Sequence, residues 1–306
     1  MQQSLIAIVA EGKLGRLYLE PNNAQEMVAF SQKPDWLPEL NQPNNPRDFR
    51  TKLYGLDTFG SIFTDRQLVA LNTFSSLISE VRDQIENDAI HGGMHTNNNL
   101  LRNSGDGAKA YAEAVCVYLT FIIDKCTDYW STICTWHSSR ETIRNTFGRQ
   151  AIPMTWDYAE VNPFSSSTGN WTSMSNWVSK SINGFIPYSI GIQIQHDAQT
   201  LKYNKGAVIS TDPPYYDNIG YADLSDYFFT WMKPALKTVY PDLFSVMATP
   251  KSEELVATPF RHGGKDEAEE FFLNGMSTAI KNMADNTSNA APATIYYAFK
   301  QSEVEL

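Results

Sequence analysis

From Thr64 onward the apolar residues recur every three or four positions. Leu68, Leu71, Phe74, Ile78, Val81 and Ile85 share one helical face. Thr64 with Gln67 is a capping-box pattern, in which each side chain satisfies the other residue's free backbone N–H. A long amphipathic helix is predicted to start there. A second is predicted from near Ala108, with Ala112, Val115, Leu119 and Ile122 facing inward. Ser138 and Glu141 repeat the capping spacing and predict a short third helix that stops at Gly148. Trp171, Met174, Trp177 and Val178 read as the inner face of another helix. The stretch 91–107, rich in Gly and Asn, reads as a loop.

After about residue 185 the pattern changes. Ile190, Ile192 and Ile194 alternate with Gly191, Gln193 and Gln195, a period-two strand that ends at His196 and Asp197. Ala207, Val208 and Ile209 form a short apolar run suited to a strand buried in a parallel sheet, and it leads into Asp212. Two helices are predicted next, one over 223–239 that Pro234 must kink or divide, and one over 265–285. The run 294–299, TIYYAF, is a final β-type segment. This order predicts an α/β protein: part of a parallel sheet over 186–306, preceded by a mainly helical region over 1–185. No period of about 20–50 residues repeats, which excludes a solenoid.

Composition narrows the function classes. The 306 residues are 42% hydrophobic, enough for a substantial core. The net charge is −10 and there is no basic tail or stripe, which disfavours a protein that grips nucleic acid mainly by charge. Three cysteines, an odd number, argue against a disulfide framework and for a reducing compartment. The N-terminal stretch MQQSLIAIVAEGK lacks a basic region and a cleavage-site pattern, and the longest apolar run, 114–123, is too short to span a bilayer. A cytoplasmic protein without membrane contact is the expectation.

The most informative residues are Asp212, Pro213, Pro214 and Tyr215, between an apolar run and a helix. At typical residue usage a fixed tetrapeptide is expected by chance about 0.002 times in a chain of this length. In open α/β sheets, ligands bind beyond the carboxyl ends of the strands, so a carboxylate placed there faces a site. The plain alternative is a Pro-Pro turn with a solvated Asp.

Asp-Pro-Pro-Tyr at a strand end resembles the catalytic motif of the amino-group DNA methyltransferases that use S-adenosylmethionine. The longer string STDPPYYDNIGYADLSDYFFTW (210–231) is similar to the adenine-specific DNA methylases that carry a zinc ribbon. FTDRQLVALNTF (63–74), PMTWDYAEVNPF (153–164) and YAFKQ (297–301) extend the resemblance over most of the chain. It implies a Rossmann-like methyltransferase sheet and a DNA substrate whose adenine is flipped out of the duplex. Asp212 and the Pro213 carbonyl would accept hydrogen bonds from the exocyclic amine, turning its lone pair outward, and the Tyr215 ring would stack on the base. Pro213 and Pro214 would stiffen the loop and remove two N–H groups. Asp at the first position, where the related protein-glutamine methyltransferases carry Asn, implies a nucleobase substrate. The resemblance makes Asp212 and Asp197 cofactor contacts as well, Asp197 at the adenine of S-adenosylmethionine. The other reading of Asp197 is a cap on the following turn.

Two parts of the family pattern are missing. No glycine-rich turn follows a hydrophobic strand, where a backbone could approach the methionine portion of the cofactor closely. The segments 57–61 (DTFGS) and 105–107 (GDG) lack the strand. No Cys-x-x-Cys pair exists, so the zinc site does not carry over and no metal is expected. The chain ends five residues after Gln301. The expectation is a fragment or one part of a split DNA adenine methyltransferase. Its partner would be an upstream polypeptide segment with the glycine-rich motif, and its own activity is in doubt. The alternatives are an inert remnant serving as a subunit or binding module, and an amino-methyltransferase acting on RNA or a small molecule.

Other candidates have plainer readings beside the sharp ones. Cys126, Cys134 and His137 match no standard zinc spacing, and Cys116 and Cys126 suit a core. His91 and His95 lie in a loop without the Glu of a metalloprotease. Arg140, Arg144 and Arg149 form either a solvated helix face or a phosphate contact. Trp156, Asp157, Tyr158, Glu160 and Asn162 either line a pocket or serve in caps and core.

Overall fold

The computed structural model describes residues 3–186, 188–189, 191–204, 206–216 and 219–298. Along the chain run β1 (Ile8–Gly12), β2 (Gly15–Leu19), α1 (Asn23–Ser31), α2 (Asp65–His91), α3 (Ala108–Thr127), β3 (Thr135–His137), β4 (Thr142–Arg144) and α4 (Trp171–Gly184). Then come β5 (Ser210–Thr211), α5 (Tyr221–Leu236), α6 (Pro241–Phe244), α7 (Pro259–His262), α8 (Lys265–Asn286) and β6 (Thr294–Ile295). The fold is mixed α/β, and among the described residues the strands pair in twos: β1 with β2 and β3 with β4 antiparallel, β5 with β6 parallel. Among the described residues no helix is long and apolar enough to cross a membrane. The chain divides into two compact units. One comprises Met1–Ile186 and Tyr227–Ala248, the other Pro187–Asp226 and Thr249–Leu306, so the division falls inside α5.

In the first unit α2 begins where the capping box places it. Thr64 accepts from the Gln67 N–H, and the Gln67 side chain accepts from the Thr64 N–H at 2.9 Å. Leu68, Leu71 and Ile78 of α2 are buried, as are Ala112, Cys116, Ile122 and Ile123 of α3. All three cysteines are free and buried, and burial pushes each thiol pKa up, as expected of core thiols. An aromatic cluster fills the rest of this core. Tyr227 is stacked on Phe63 at 5.9 Å and meets Phe59 and Phe147 edge-on, while Trp231 meets Phe63 at 5.3 Å. The Tyr227 hydroxyl donates to the Thr127 carbonyl at the end of α3 (2.6 Å), which satisfies a terminal acceptor that the helix cannot satisfy itself.

Several expected elements differ. The segment 138–148 is not a helix: it holds the turn and second strand of the β3–β4 hairpin. Arg140 donates its N–H to the His137 carbonyl, Glu141 takes a positive φ of 50°, and β-branched Thr142 and Ile143 continue as strand. With Ile143 as its one apolar residue before Phe147, the segment had no stripe for a helix to bury. Arg140, Arg144 and Arg149 therefore sit on a turn, a strand and a loop, and do not share a helix face. On α4, Met174 is buried but Trp177 is 64% exposed, with Lys125 Nζ 5.4 Å from its ring centre. Pro234 lies in the last turn of α5, which runs undivided from Tyr221 to Leu236.

In the second unit residues 191–194 form no strand, and Ile192 and Ile194 are exposed; Ile190 lies outside the described residues. Alternation alone gave that segment no partner strand. The expected 207–209 strand is displaced to Ser210–Thr211. Ile209 is buried and accepts from the Thr294 N–H, but Val208 is 70% exposed and so is not a core-strand residue. Ladder bonds run from Thr294 N–H to Ile209 O and from Tyr296 N–H to Thr211 O, and Ala207 bridges Thr287 in parallel. The final strand covers only Thr294–Ile295, and Phe299 lies outside the described residues. Elsewhere in this unit Ala257, Ala268 and Phe272 are buried together, with Tyr216 and Met276 against them. A Cβ at Gly275 on α8 would overlap the Leu255 side chain, so glycine lets the helix approach that closely.

The buried hydroxyl of Tyr227 generates a stability prediction. Tyr227→Phe keeps the ring stack and strands the Thr127 carbonyl, and should lower stability by about 1–2 kcal/mol. The urea midpoint should fall with an unchanged m-value, because the exposed area on unfolding stays the same.

Candidate functional site

β5 and β6 run parallel, so their carboxyl ends emerge side by side. Asp212 to Tyr215 leave β5 at that end, and residues 296–298 leave β6 there. Asp212 is exposed, whereas Pro213, Pro214 and Tyr215 are partly buried. The Tyr215 hydroxyl donates to Asp212 Oδ1 at 2.6 Å, and among the described residues Asp212 Oδ2 has no partner. The Tyr215 ring meets the Tyr297 ring edge-on, with centres 5.3 Å apart. The motif thus closes on itself: the phenol that the resemblance assigns to stacking on a base is tied to the carboxylate assigned to its amine. The hydrogen bond to Asp212 pushes the Tyr215 phenol pKa up, because ionisation would set two negative oxygens against each other.

Tyr216 turns the loop away with a φ of 29°, a conformation that costs an aromatic residue of order 1–3 kcal/mol. Its surroundings hold it there. The Tyr216 carbonyl accepts from the Ala257 N–H at 3.0 Å, and its ring meets the Phe272 ring edge-on at 5.4 Å.

Behind the loop, at the start of α5, lies a buried charge cluster that sequence reasoning missed. Arg261 donates through Nη1 to Glu254 Oε2 (2.6 Å) and places Nη2 2.9 Å from Asp223 Oδ1. Glu254 Oε1 accepts the Ala222 N–H at 2.8 Å, one of the free N–H groups of the helix start. One turn on, Asp226 pairs with Lys251 Nζ (2.6 Å) and accepts the N–H and hydroxyl of Thr249. Burial pushes the Asp223 carboxyl pKa up, with Arg261 pulling against it. Burial also works against the Arg261 charge, but Glu254 and Asp223 outweigh it and raise that pKa. His262, stacked on Phe271 with ring centres 4.0 Å apart, has its pKa lowered by burial and then by Arg261. One signal was available in the sequence. Arg261 is the sole arginine after Arg149, in a region that carries Asp223, Asp226 and Glu254.

Asp197 caps a turn. Its Oδ1 accepts the Gln199 N–H at 2.9 Å, and its carbonyl accepts from Thr200 and Leu201. Asn282 of α8 fixes the same turn by donating to the Ala198 and Leu201 carbonyls. No hydrogen bond joins Asp197 to the Asp212 loop among the described residues.

The described residues do not form a cradle for S-adenosylmethionine. Neither β5 nor β6 is followed by a glycine turn: two prolines follow β5, and an added Cβ at Gly206, ahead of β5, would meet nothing within 4 Å. Of the buried glycines downstream, Gly220 is packed against Asp223 and Arg261, and Gly275 against Leu255.

The remaining candidates fall into local roles. His95 bonds Asp106 at 3.0 Å in the loop after α2. Glu160 grips Arg66 through two bonds of 2.6 and 3.0 Å, and Asn162 accepts the Phe164 N–H. Trp156, 65% exposed, lies edge-on to Tyr54.

Two outcomes test this geometry. Tyr215 should titrate above the ordinary tyrosine pKa of about 10 in an NMR titration, and Asp212→Asn should bring it back, since the neutral amide no longer opposes ionisation. Arg261→Ala should cost about 3–5 kcal/mol in urea unfolding, because it strands two largely buried carboxylates. Compared with known protein families, with curated protein sequences and with solved structures, the chain matches none.

Proposed function

We propose that this chain supplies the base-holding half of an adenine-specific DNA methyltransferase that uses S-adenosylmethionine, with a partial Rossmann-like sheet as its framework. The observation that carries this reading is an Asp-Pro-Pro-Tyr loop leaving the carboxyl end of a parallel strand, with one Asp212 oxygen held by Tyr215 and the other without a partner among the described residues. An adenine amine is a poor nucleophile because its lone pair is delocalised into the ring. Asp212 Oδ2 and the Pro213 carbonyl would accept hydrogen bonds from its two N–H groups and turn the lone pair outward, and as the N–CH3 bond forms and the donor's S–CH3 bond breaks, Asp212 would take the proton the amine sheds. Tyr215 gives up its bond to Asp212 as the base arrives, freeing the ring to lie on the base. Pro213 and Pro214 stiffen the loop backbone, so the Asp212 and Pro213 acceptors keep their places while the Tyr215 side chain moves.

The cofactor comes from chemistry this chain does not complete. When bound, S-adenosylmethionine supplies the activated methyl group. In this reading its glycine-rich cradle belongs to a partner polypeptide segment whose strand pairs with the edge of β5 opposite β6, an edge without a partner among the described residues. Asp197 keeps its turn-capping role in this reading, so the cofactor assignment is retained for Asp212 alone. A cytoplasmic setting suits a DNA substrate and the reduced cysteines.

Calorimetry of the chain with S-adenosylmethionine should show binding weaker than low-micromolar; a low-micromolar dissociation constant would mean that the chain holds a cradle after all. In an assembly that transfers methyl groups to adenine-containing DNA, Asp212→Ala should abolish transfer and leave the circular-dichroism spectrum unchanged. Transfer at the wild-type rate by that variant overturns the assignment.

A further inference from the structure

Within the first unit, a second site is built from residues that the Asp212 loop does not use. An open cleft of about 500 Å³ is lined by Arg50, Leu53, Tyr54, Arg149, Met154 and Trp156, together with two prolines. No acidic residue lines it, in a chain whose net charge is −10. Arg50 and Arg149 are exposed, and neither guanidinium has an ion-pair partner among the described residues. Tyr54 and Trp156 are 47% and 65% exposed, with ring centres 5.2 Å apart and planes 80° apart, so the rings form a corner. A flat ring laid on one face presents its edge to the other.

The corner is held by backbone. Arg50 donates its N–H to the Ile152 carbonyl (3.1 Å), and Ile152 returns an N–H to the Asp48 carbonyl (2.7 Å). Phe49 and Ile152, the bridged pair, are buried beneath. Directly after Arg50, a single 3₁₀ turn over Thr51–Tyr54 presents Leu53 and Tyr54.

We propose that this cleft binds single-stranded nucleic acid, with a base on the Tyr54–Trp156 corner and flanking phosphates on Arg50 and Arg149. Both halves of the ligand are demanded by the lining. Unpaired guanidinia select phosphate, and exposed aromatic faces select an unstacked base, which a duplex keeps covered. The inference rests on the cleft's own geometry and not on methyl transfer. Asp212→Ala should therefore leave this binding unchanged, so either reading can fail without the other.

The test is fluorescence anisotropy of the full chain with a labelled oligothymidylate of about twelve nucleotides, from about 50 to about 200 mM salt. Trp156→Ala should weaken binding about tenfold, and Trp156→Phe should restore most of it. The double variant Arg50→Ala, Arg149→Ala should lower the slope of log K against log salt by about 1.4, the share of two phosphate contacts on a single strand. Equal affinity and slope in wild type and variants overturns the proposal. Tighter binding of a duplex or of a phosphorylated peptide overturns it as well, and AMP competing as well as the strand does would assign the cleft to a free nucleotide instead.

Discussion

A largely buried guanidinium held between two carboxylates fixes the start of α5 against 254–261. Arg261 reaches Glu254 and Asp223 at once, and Glu254 in turn caps the Ala222 N–H. These bonds fix the start of α5 to 254–261, and the same stretch supplies the Ala257 N–H that holds the Tyr216 carbonyl. The loop between β5 and α5 is thus pinned at its far end by groups outside itself. Replacing such an ionic cluster with apolar residues of equal volume often leaves stability unchanged. Its contribution is therefore directional: two carboxylates on one guanidinium fix where 254–261 meets the start of α5.

What the sequence made legible follows the range of the interactions. α2 and its capping box depend on residues three and four apart, so the pattern at Thr64, Gln67, Leu68 and Leu71 is sufficient to read them. The turn after Asp212 was legible because two consecutive prolines are a local signal, whereas the strand before it moved from 207–209 to Ser210–Thr211, where distant β6 pairs with it. The β3–β4 hairpin was misread because Ser138 and Glu141 match a cap, while what decides the segment is the pairing of Trp136 with Ile143. Trp177 fits a helical stripe, yet it lies over Lys125 on another helix, which no spacing within α4 reveals. The pairing of Arg261 was missed for the same reason: its partners lie about seven and about forty residues away, and its being the sole arginine after Arg149 does not say which carboxylates it meets.

The small sheets follow from the same distinction between local and distant terms. Ile192 and Ile194 alternate as a strand should, but a strand exists only against another backbone, and those residues have none among the described residues. Among the described residues β5 has β6 on one side only, and its apolar neighbour Val208 remains exposed. Burial of apolar runs on both faces is a property of sheets whose faces are covered, and two strands of two residues cannot provide it.

The pairing of β5 with β6 joins Ser210 to Thr294, so about eighty residues must be ordered into one closed loop before the first ladder bond forms. Closing a loop of that size costs of order 4 kcal/mol in chain entropy, more than a ladder this short returns. The strands therefore assemble after α8 has docked through Phe272 and Gly275, late on the folding path and with high contact order. Run in reverse, the same arithmetic makes this ladder among the first parts of the molecule to open, so the amides of Thr294 and Tyr296 exchange with solvent by local fluctuation while the α2–α3 core stays closed.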